Sequence, residues 1–214
     1  MRRTLLLTAL ATMAFAAPAS AQWYGPEKEF TGFIHTGGSF PSGAAADVVD
    51  IGFHIGGGGV YHLNRGPWGI RGDISYDTWG IKSDVLRLAN VGDGHARTWA
   101  FTTGVEFDQK TTGQVALYGF AGGGLYYNYA ELTNPGVGSG IICDPWWGWC
   151  YPVLVPVDEI VGWRSTTKGG LNGGLGVRFK TRGAGEMYIE GRFDNIFVDG
   201  GNAQYFPVSV GFRW

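Results

Sequence analysis

Cysteine is scarce in this chain, positive charge has no surplus, and no apolar run is long. Each shortage removes a class of protein. Two cysteines in 214 residues are too few for a cysteine-ligated metal cluster. Sixteen Lys and Arg stand against 18 Asp and Glu, a net charge of −2, so no nucleic-acid partner is expected. Beyond the N-terminal segment the longest apolar stretch is Val115–Tyr127, 13 residues that include four glycines. A membrane-spanning helix needs about 20, so no such helix is expected.

The groupings that carry chemistry are missing too. His35, His54, His62 and His95 are scattered along the sequence, and Asp47 with Asp50 cannot supply the roughly 6–8 oxygens of a calcium cage. The glycine runs Gly56–Gly59 and Gly122–Gly124 lack the Lys-Ser/Thr that follows a phosphate-binding loop. They read as places where a strand bends or a bulky neighbour crosses. A nucleophile needs a base within hydrogen-bond reach and a third group to orient it, and no His-x-Ser pattern sits on an outward face. No metal, cofactor or enzymatic activity is expected.

What is present begins with export. Arg2-Arg3, the apolar run Leu5–Ala17 and Ala19-Ser20-Ala21 before Gln22 form the three parts of a secretory signal peptide. The expected organisation is a signal peptide over 1–21 and one domain over 22–214. An exported chain meets an oxidising compartment, where Cys143 and Cys150 are expected to form a disulfide.

Glycine is abundant (38 residues) and aromatics make up 15%, a share that argues against disorder. Phe206, Val208, Val210, Phe212 and Trp214 alternate with Pro207, Ser209, Gly211 and Arg213, the period of a strand with one apolar face. The same alternation runs through 53–63, 68–77, 98–107, 171–179 and 187–194, and less cleanly through 30–38 and 114–128. Short links at 64–67, 109–113 and 180–185 alternate with longer ones at 39–50, 80–96, 130–168 and 196–204. Short turns at one end and long loops at the other mark an outer-membrane barrel. The expected fold is all-β, an eight-stranded antiparallel up-and-down transmembrane barrel with both termini in the periplasm and the long loops outside the cell.

The charges choose the faces. Arg71, Asp73, Asp77, Glu106, Arg178, Glu190, Arg192, Asp194 and Arg213 all fall opposite the aromatic face. Each Arg turned toward lipid would cost about 2–4 kcal/mol at the midplane. An eight-stranded barrel filled instead by Trp99, Phe101, Phe107, Phe179, Phe212 and Trp214 would be overfull. The ionised residues are therefore expected inside, as a network of Arg71 with Glu106 and Arg178 with Glu190, with Asp73, Arg192 and Arg213 close by. His54 and His62 share the inward face of one strand, with His35 facing them as polar filling.

With its signal peptide, "NGGLGVRF" (Asn172–Phe179), "YIEGRFDNIF" (Tyr188–Phe197) and terminal "FPVSVGFRW", the chain resembles the small outer-membrane barrels typified by the OmpA barrel domain and OmpX. The resemblance spans the whole exported chain. It implies a monomer in outer-membrane lipid and lipopolysaccharide. It also implies periplasmic chaperones and a barrel-assembly machinery that reads the last strand, with Phe212 and Trp214 as the insertion signal. Ser209 stands where many such barrels have Gly.

The segment "CDPWWGWC", Cys143–Cys150, interrupts the longest link, and its β-prone flanks suggest a hairpin continuing above the membrane. Indoles suit a lipid–water boundary. Trp146, Trp147, Trp149 and Tyr151 therefore either rest against the barrel mouth and outer leaflet or form a stacking platform for a glycan or protein. The expected role is structural or surface-binding, adhesin-like and non-enzymatic. The alternatives are a transporter of small hydrophobic molecules, as in OmpW-type barrels, and a lipid-modifying enzyme.

Overall fold

A computed structural model describes residues 29–63, 66–109, 113–143, 150–181 and 185–214, without the side chains of 137–140, 142–143 and 150–158. The expected signal peptide and Trp146, Trp147 and Trp149 lie outside the described residues, as does the side chain of Tyr151.

Eight strands run in sequence: β1 (Phe30–Ser42), β2 (Gly52–His62), β3 (Trp68–Gly80), β4 (Asp93–Gln109), β5 (Val115–Cys143), β6 (Cys150–Lys180), β7 (Glu186–Val198) and β8 (Gly201–Arg213). Each pairs antiparallel with the next, and β1 pairs with β8 to close the ring. The closing register sets Ile34 opposite Phe212 and Thr36 opposite Val210. Beyond the last paired strand residues, Trp214 and Gly32 exchange backbone hydrogen bonds of 3.1 and 3.2 Å.

Period-2 alternation becomes two faces. On β3, Arg71, Asp73, Ser75 and Asp77 are buried while Trp68, Ile70 and Ile74 are exposed. Leu125, Leu175 and Val210 continue the exposed apolar set on β5, β6 and β8. A ring of greasy side chains this continuous is not tolerated against water; it is the lipid-facing belt of a transmembrane barrel. Trp68 and Phe107 meet at 4.9 Å near one end of the belt, Tyr76 and Trp99 at 4.8 Å near the other, as interfacial girdles do.

Inside, bulky rings rest where the neighbouring strand has glycine. A Cβ on Gly176 would come within 2.3 Å of the Tyr118 ring, and one on Gly211 within 2.3 Å of the Tyr188 ring. These glycines leave the lumen room for tyrosines that reach across it.

At one end the strands are joined by the five-residue links 63–67, 110–114 and 181–185; the opposite end, the mouth, is uneven. There a 3-10 turn (Gly43–Asp47) follows β1, and a short helix α1 (Ser83–Ala89) follows β3. Helix α1 stops at Asn90, which adopts φ 54°, a left-handed conformation that Asn tolerates. The two connections are stitched together: Val49 bridges Ile81, the Lys82 amide donates to the Val48 carbonyl at 2.9 Å, and Lys82 Nζ donates to the Ala46 carbonyl at 2.5 Å.

Two links differ from the sequence-based expectation. The expected loop over 196–204 is a two-residue turn, since β7 runs to Val198, β8 starts at Gly201, and Gly200 takes φ +87°. Gly-Gly-Asn-Ala-Gln looks like a loop in sequence, yet Val198 pairs with Gly201 and Asn195 with Gln204. The expected loop over 130–168 is mostly strand. β5 and β6 stay paired, through one register shift at Leu132/Thr133, until Cys143 faces Cys150.

Candidate functional site

Two features stand out: a charged lumen and a ribbon rising from the mouth. The lumen is built from residues of every strand, and β3 and β7, like β4 and β8, lie diametrically opposite in a ring of eight.

Arg71 on β3 forks onto Glu190 on β7, with Nη1–Oε2 2.8 Å and Nη2–Oε1 3.0 Å. Arg213 on β8 forks onto Glu106 on β4, with both contacts at 2.8 Å. Arg71 also donates to Glu106 at 3.2 Å, joining the two forks. Tyr118 adds a 2.7 Å hydrogen bond to Glu190. The guanidinium carbons sit over rings: Arg71 is 4.0 Å from the Phe120 centroid and 4.4 Å from Phe33, and Arg213 is 4.4 Å from Tyr118. Bidentate charge-assisted bonds are the strong kind, and ring faces serve the cations where no oxygen does.

A second tier lies nearer the mouth. Arg192 on β7 donates to Asp194 at 2.8 Å, to Asp73 across the lumen at 2.8 Å, and to Ser75 at 3.3 Å. Tyr126 donates to Asp194 at 2.7 Å. A chain of polar contacts leads sideways from Asp73. His35 Nε2 is 3.1 Å from Asp73, His35 Nδ1 is 3.0 Å from His54 Nε2, and His54 Nδ1 is 2.8 Å from Asp77. Arg71, Asp73, Glu106, Glu190, Arg192, Asp194 and Arg213 are only 0–4% exposed, so each charge depends on these partners.

The array Asp77–His54–His35–Asp73 contains three contacts between potential acceptors, and each hydrogen bond needs a proton. Two neutral imidazoles and two carboxylates supply two. All three contacts can be hydrogen bonds at once only with a third proton on the array. That suits its surroundings: the buried charges among the described residues include six carboxylates (Asp73, Asp77, Glu106, Asp108, Glu190 and Asp194) but four guanidiniums (Arg71, Arg178, Arg192 and Arg213).

The sequence-based pairing of Arg178 with Glu190 needs correction. Arg178 instead holds Asp108 and, at 2.8 Å, Glu186, both nearer the turn end, while Glu190 faces Arg71. Counting residues from the turns equates Arg178 with Glu190, but the actual register sets Arg178 opposite Tyr188. Sequence reasoning places His35 and His54 inside but does not link them to Asp73 and Asp77. Their inward parity is the available signal.

At the mouth, β4 leaves β5 after Asp93↔Thr133, whereas β7 joins β6 only from Gly170↔Ile196. Beyond Thr133, β5 and β6 form a two-stranded ribbon that ends at Cys143↔Cys150. At about 3.3 Å per residue it projects about 30 Å. Trp163 and Tyr129 stack at 6.3 Å near its base, and Arg97 holds Glu131 at 2.5 Å. On the low side of the rim Asp199 accepts from Lys168 at 2.7 and 2.8 Å. These hydrogen bonds and the ammonium charge hold its carboxyl below the usual carboxylate range.

The sequence matches the outer membrane protein beta-barrel domain over residues 7–213. The chain belongs to that family. Among solved structures it is similar to Neisserial surface protein A, with 16% identity, a TM-score of 0.54, and coverage of 87% of this chain and 96% of that one. It is also similar to a major outer membrane protein of Thermus thermophilus, with 10% identity, a TM-score of 0.55, and coverage of 87% and 99%. No match was found among curated proteins. These likenesses share the fold, and the family places the chain in the bacterial outer membrane.

Proposed function

We propose that this barrel is a non-enzymatic surface-binding protein whose working part is the β5–β6 ribbon. The observation that carries this reading is the ribbon itself: a paired extension beyond the barrel rim, far longer than closing the ring requires. It would face outward, with the tight links and both termini in the periplasm, as short periplasmic turns imply. The sequence between its last paired residues holds Trp146, Trp147 and Trp149, residues suited to stacking on a glycan or anchoring a protein. Phe212 and Trp214 serve as the assembly signal on this reading, and Trp214→Ala should lower the folded fraction in a reconstituted assembly reaction.

Two points support a role without catalysis or passage. His35 and His54 commit both ring nitrogens to each other and to Asp73 and Asp77, which leaves neither to activate a hydroxyl. The rival reading, transport of small hydrophobic molecules, needs a continuous apolar path, and the cross-lumen ion pairs lie in its way. The test is binding of whole cells to arrayed glycans and proteins, comparing wild type with the triple variant Trp146→Ala, Trp147→Ala, Trp149→Ala. Loss of binding at equal surface display is expected; unchanged binding would defeat the proposal.

A further inference from the structure

Above the charged tiers the lumen changes character. Trp79, Ala100, Tyr126, Ile196 and Tyr205 form a buried apolar cluster. Over it lies a cavity of about 280 Å³, close to the small end of ligand pockets at roughly 300–1,000 Å³. Val48, Val49, Ala96, Ile196 and Ala203 help to line it, and the first two are held by the stitching to Ile81 and Lys82. The polar atoms of Trp79 and Tyr205 are sealed from solvent, so the floor presents carbon. In the wall, Thr98 donates to Asn128 at 2.7 Å and Gln204 to Asn195 at 3.0 Å, so these polar groups are spent on neighbours.

Of the residues lining the cavity only Arg97 and Arg164 are charged, and both are cations. Arg97 is held by Glu131. Arg164 has the inward parity of Asn172 and Arg178, which are buried on the same strand. It is the lining residue of β6 nearest the ribbon. Among the described residues no hydrogen bond or ion pair engages it. Asp199, a carboxylate within its electrostatic reach, is already held by Lys168 at 2.7 and 2.8 Å. An apolar cavity with one spare guanidinium at its edge is complementary to an apolar chain with a single negative head. A carboxylate head can fork onto that guanidinium, the strong bidentate arrangement. Asp77 and Asp194 lie two residues deeper than Trp79 and Ile196 on the same inward faces. They repel an anion from the floor, so the chain enters tail first.

We infer that the mouth of the barrel is a binding site for a medium-chain carboxylate, with its tail in the cavity and its head on Arg164. The site is separate from the ribbon above Thr133 and does not depend on the ribbon's role.

The test uses the full protein in lipid nanodiscs at neutral pH and octanoate as the probe, with 1-octanol, octylammonium and acetate for comparison. In protein carrying ¹³C-methyl alanine, the Ala96 signal, assigned by its loss in Ala96→Ser, reports on the cavity. It should shift and saturate with octanoate, respond more weakly to 1-octanol, and ignore octylammonium and acetate. Arg164→Gln should weaken octanoate about tenfold, the worth of a charge-assisted hydrogen bond, and leave 1-octanol unchanged. Ala203→Trp should abolish the response by filling the cavity. An Ala96 signal indifferent to octanoate would overturn the inference. So would octanoate affinity that survives Arg164→Gln, octylammonium binding as tightly as octanoate, or a response that persists in Ala203→Trp and so reflects dissolution in the bilayer.

Discussion

Arg71 and Glu190 share two hydrogen bonds, at 2.8 and 3.0 Å, although they stand on strands at opposite ends of a barrel diameter. Each is all but fully buried, so removing one abandons the other. Glu190→Gln should destabilise the barrel by about 3–5 kcal/mol. Replacing both, as Arg71→Met with Glu190→Met, should cost less than the sum of the single changes. Urea unfolding from lipid vesicles measures each value, and strictly additive effects would refute the coupling.

Three simultaneous hydrogen bonds in the Asp77–His54–His35–Asp73 array would need a third proton, and NMR tests for it. With ¹⁵N-labelled histidine, a deshielded proton shared by His54 Nε2 and His35 Nδ1 is expected at neutral pH, given their 3.0 Å separation. His54→Gln should remove it. Two neutral rings whose facing nitrogens both lack a proton would contradict the count.

Asp199 sits in the open at the rim, its carboxyl pKa lowered by Lys168. Because the folded value lies below the unfolded one, the contact stabilises above the ordinary carboxylate range and is lost as pH falls through the folded value. Carbon NMR should place the Asp199 midpoint below that of an exposed aspartate. Lys168→Met should return it to the ordinary value; an unmoved midpoint would remove the contact from the account.

Cys143 and Cys150 are directly opposed in the β5–β6 register. Opposed residues in antiparallel strands lie about 4.5–5.5 Å apart at Cα, within the range a disulfide spans. Alkylation of the denatured, unreduced protein should label neither cysteine. Closing this ring is worth about 2.5 kcal/mol on the chain-entropy estimate, a cost Cys143→Ser should show in the same urea assay. Labelling of both without reductant would exclude the bond.

Much of the barrel is legible in the sequence because its two faces meet opposite solvents. Where lipid lies on one side, as along Trp68–Tyr76, a one-residue slip would put Arg71 and Asp73 in hydrocarbon, so the alternation is strict and easy to read. Where that constraint lapses, reading fails. Around Asp199–Gly200 both faces are polar or glycine-rich, and a tight turn reads as a loop. The partner of Arg178 depends on register and on closure across the ring, neither of which residue counting supplies. The spare guanidinium of Arg164 is invisible to any pattern, because a spare charge is defined by what the rest of the fold leaves beside it.

Every pairing in this barrel joins strands adjacent in sequence except β1 with β8. Hairpins can therefore zip in order, at low loop-closure cost, while the seam waits for the last strand. Until it shuts, Glu190 stands apart from Arg71 and Arg213 from Glu106, with only the neighbouring-strand contact Arg71–Glu106 in reach, and an open sheet would carry unpaired ions and a raw edge into hydrocarbon. Ring closure and cross-lumen charge pairing are thus a single event, and these salt pairs act as the clasp that makes a half-built barrel unable to settle in the bilayer.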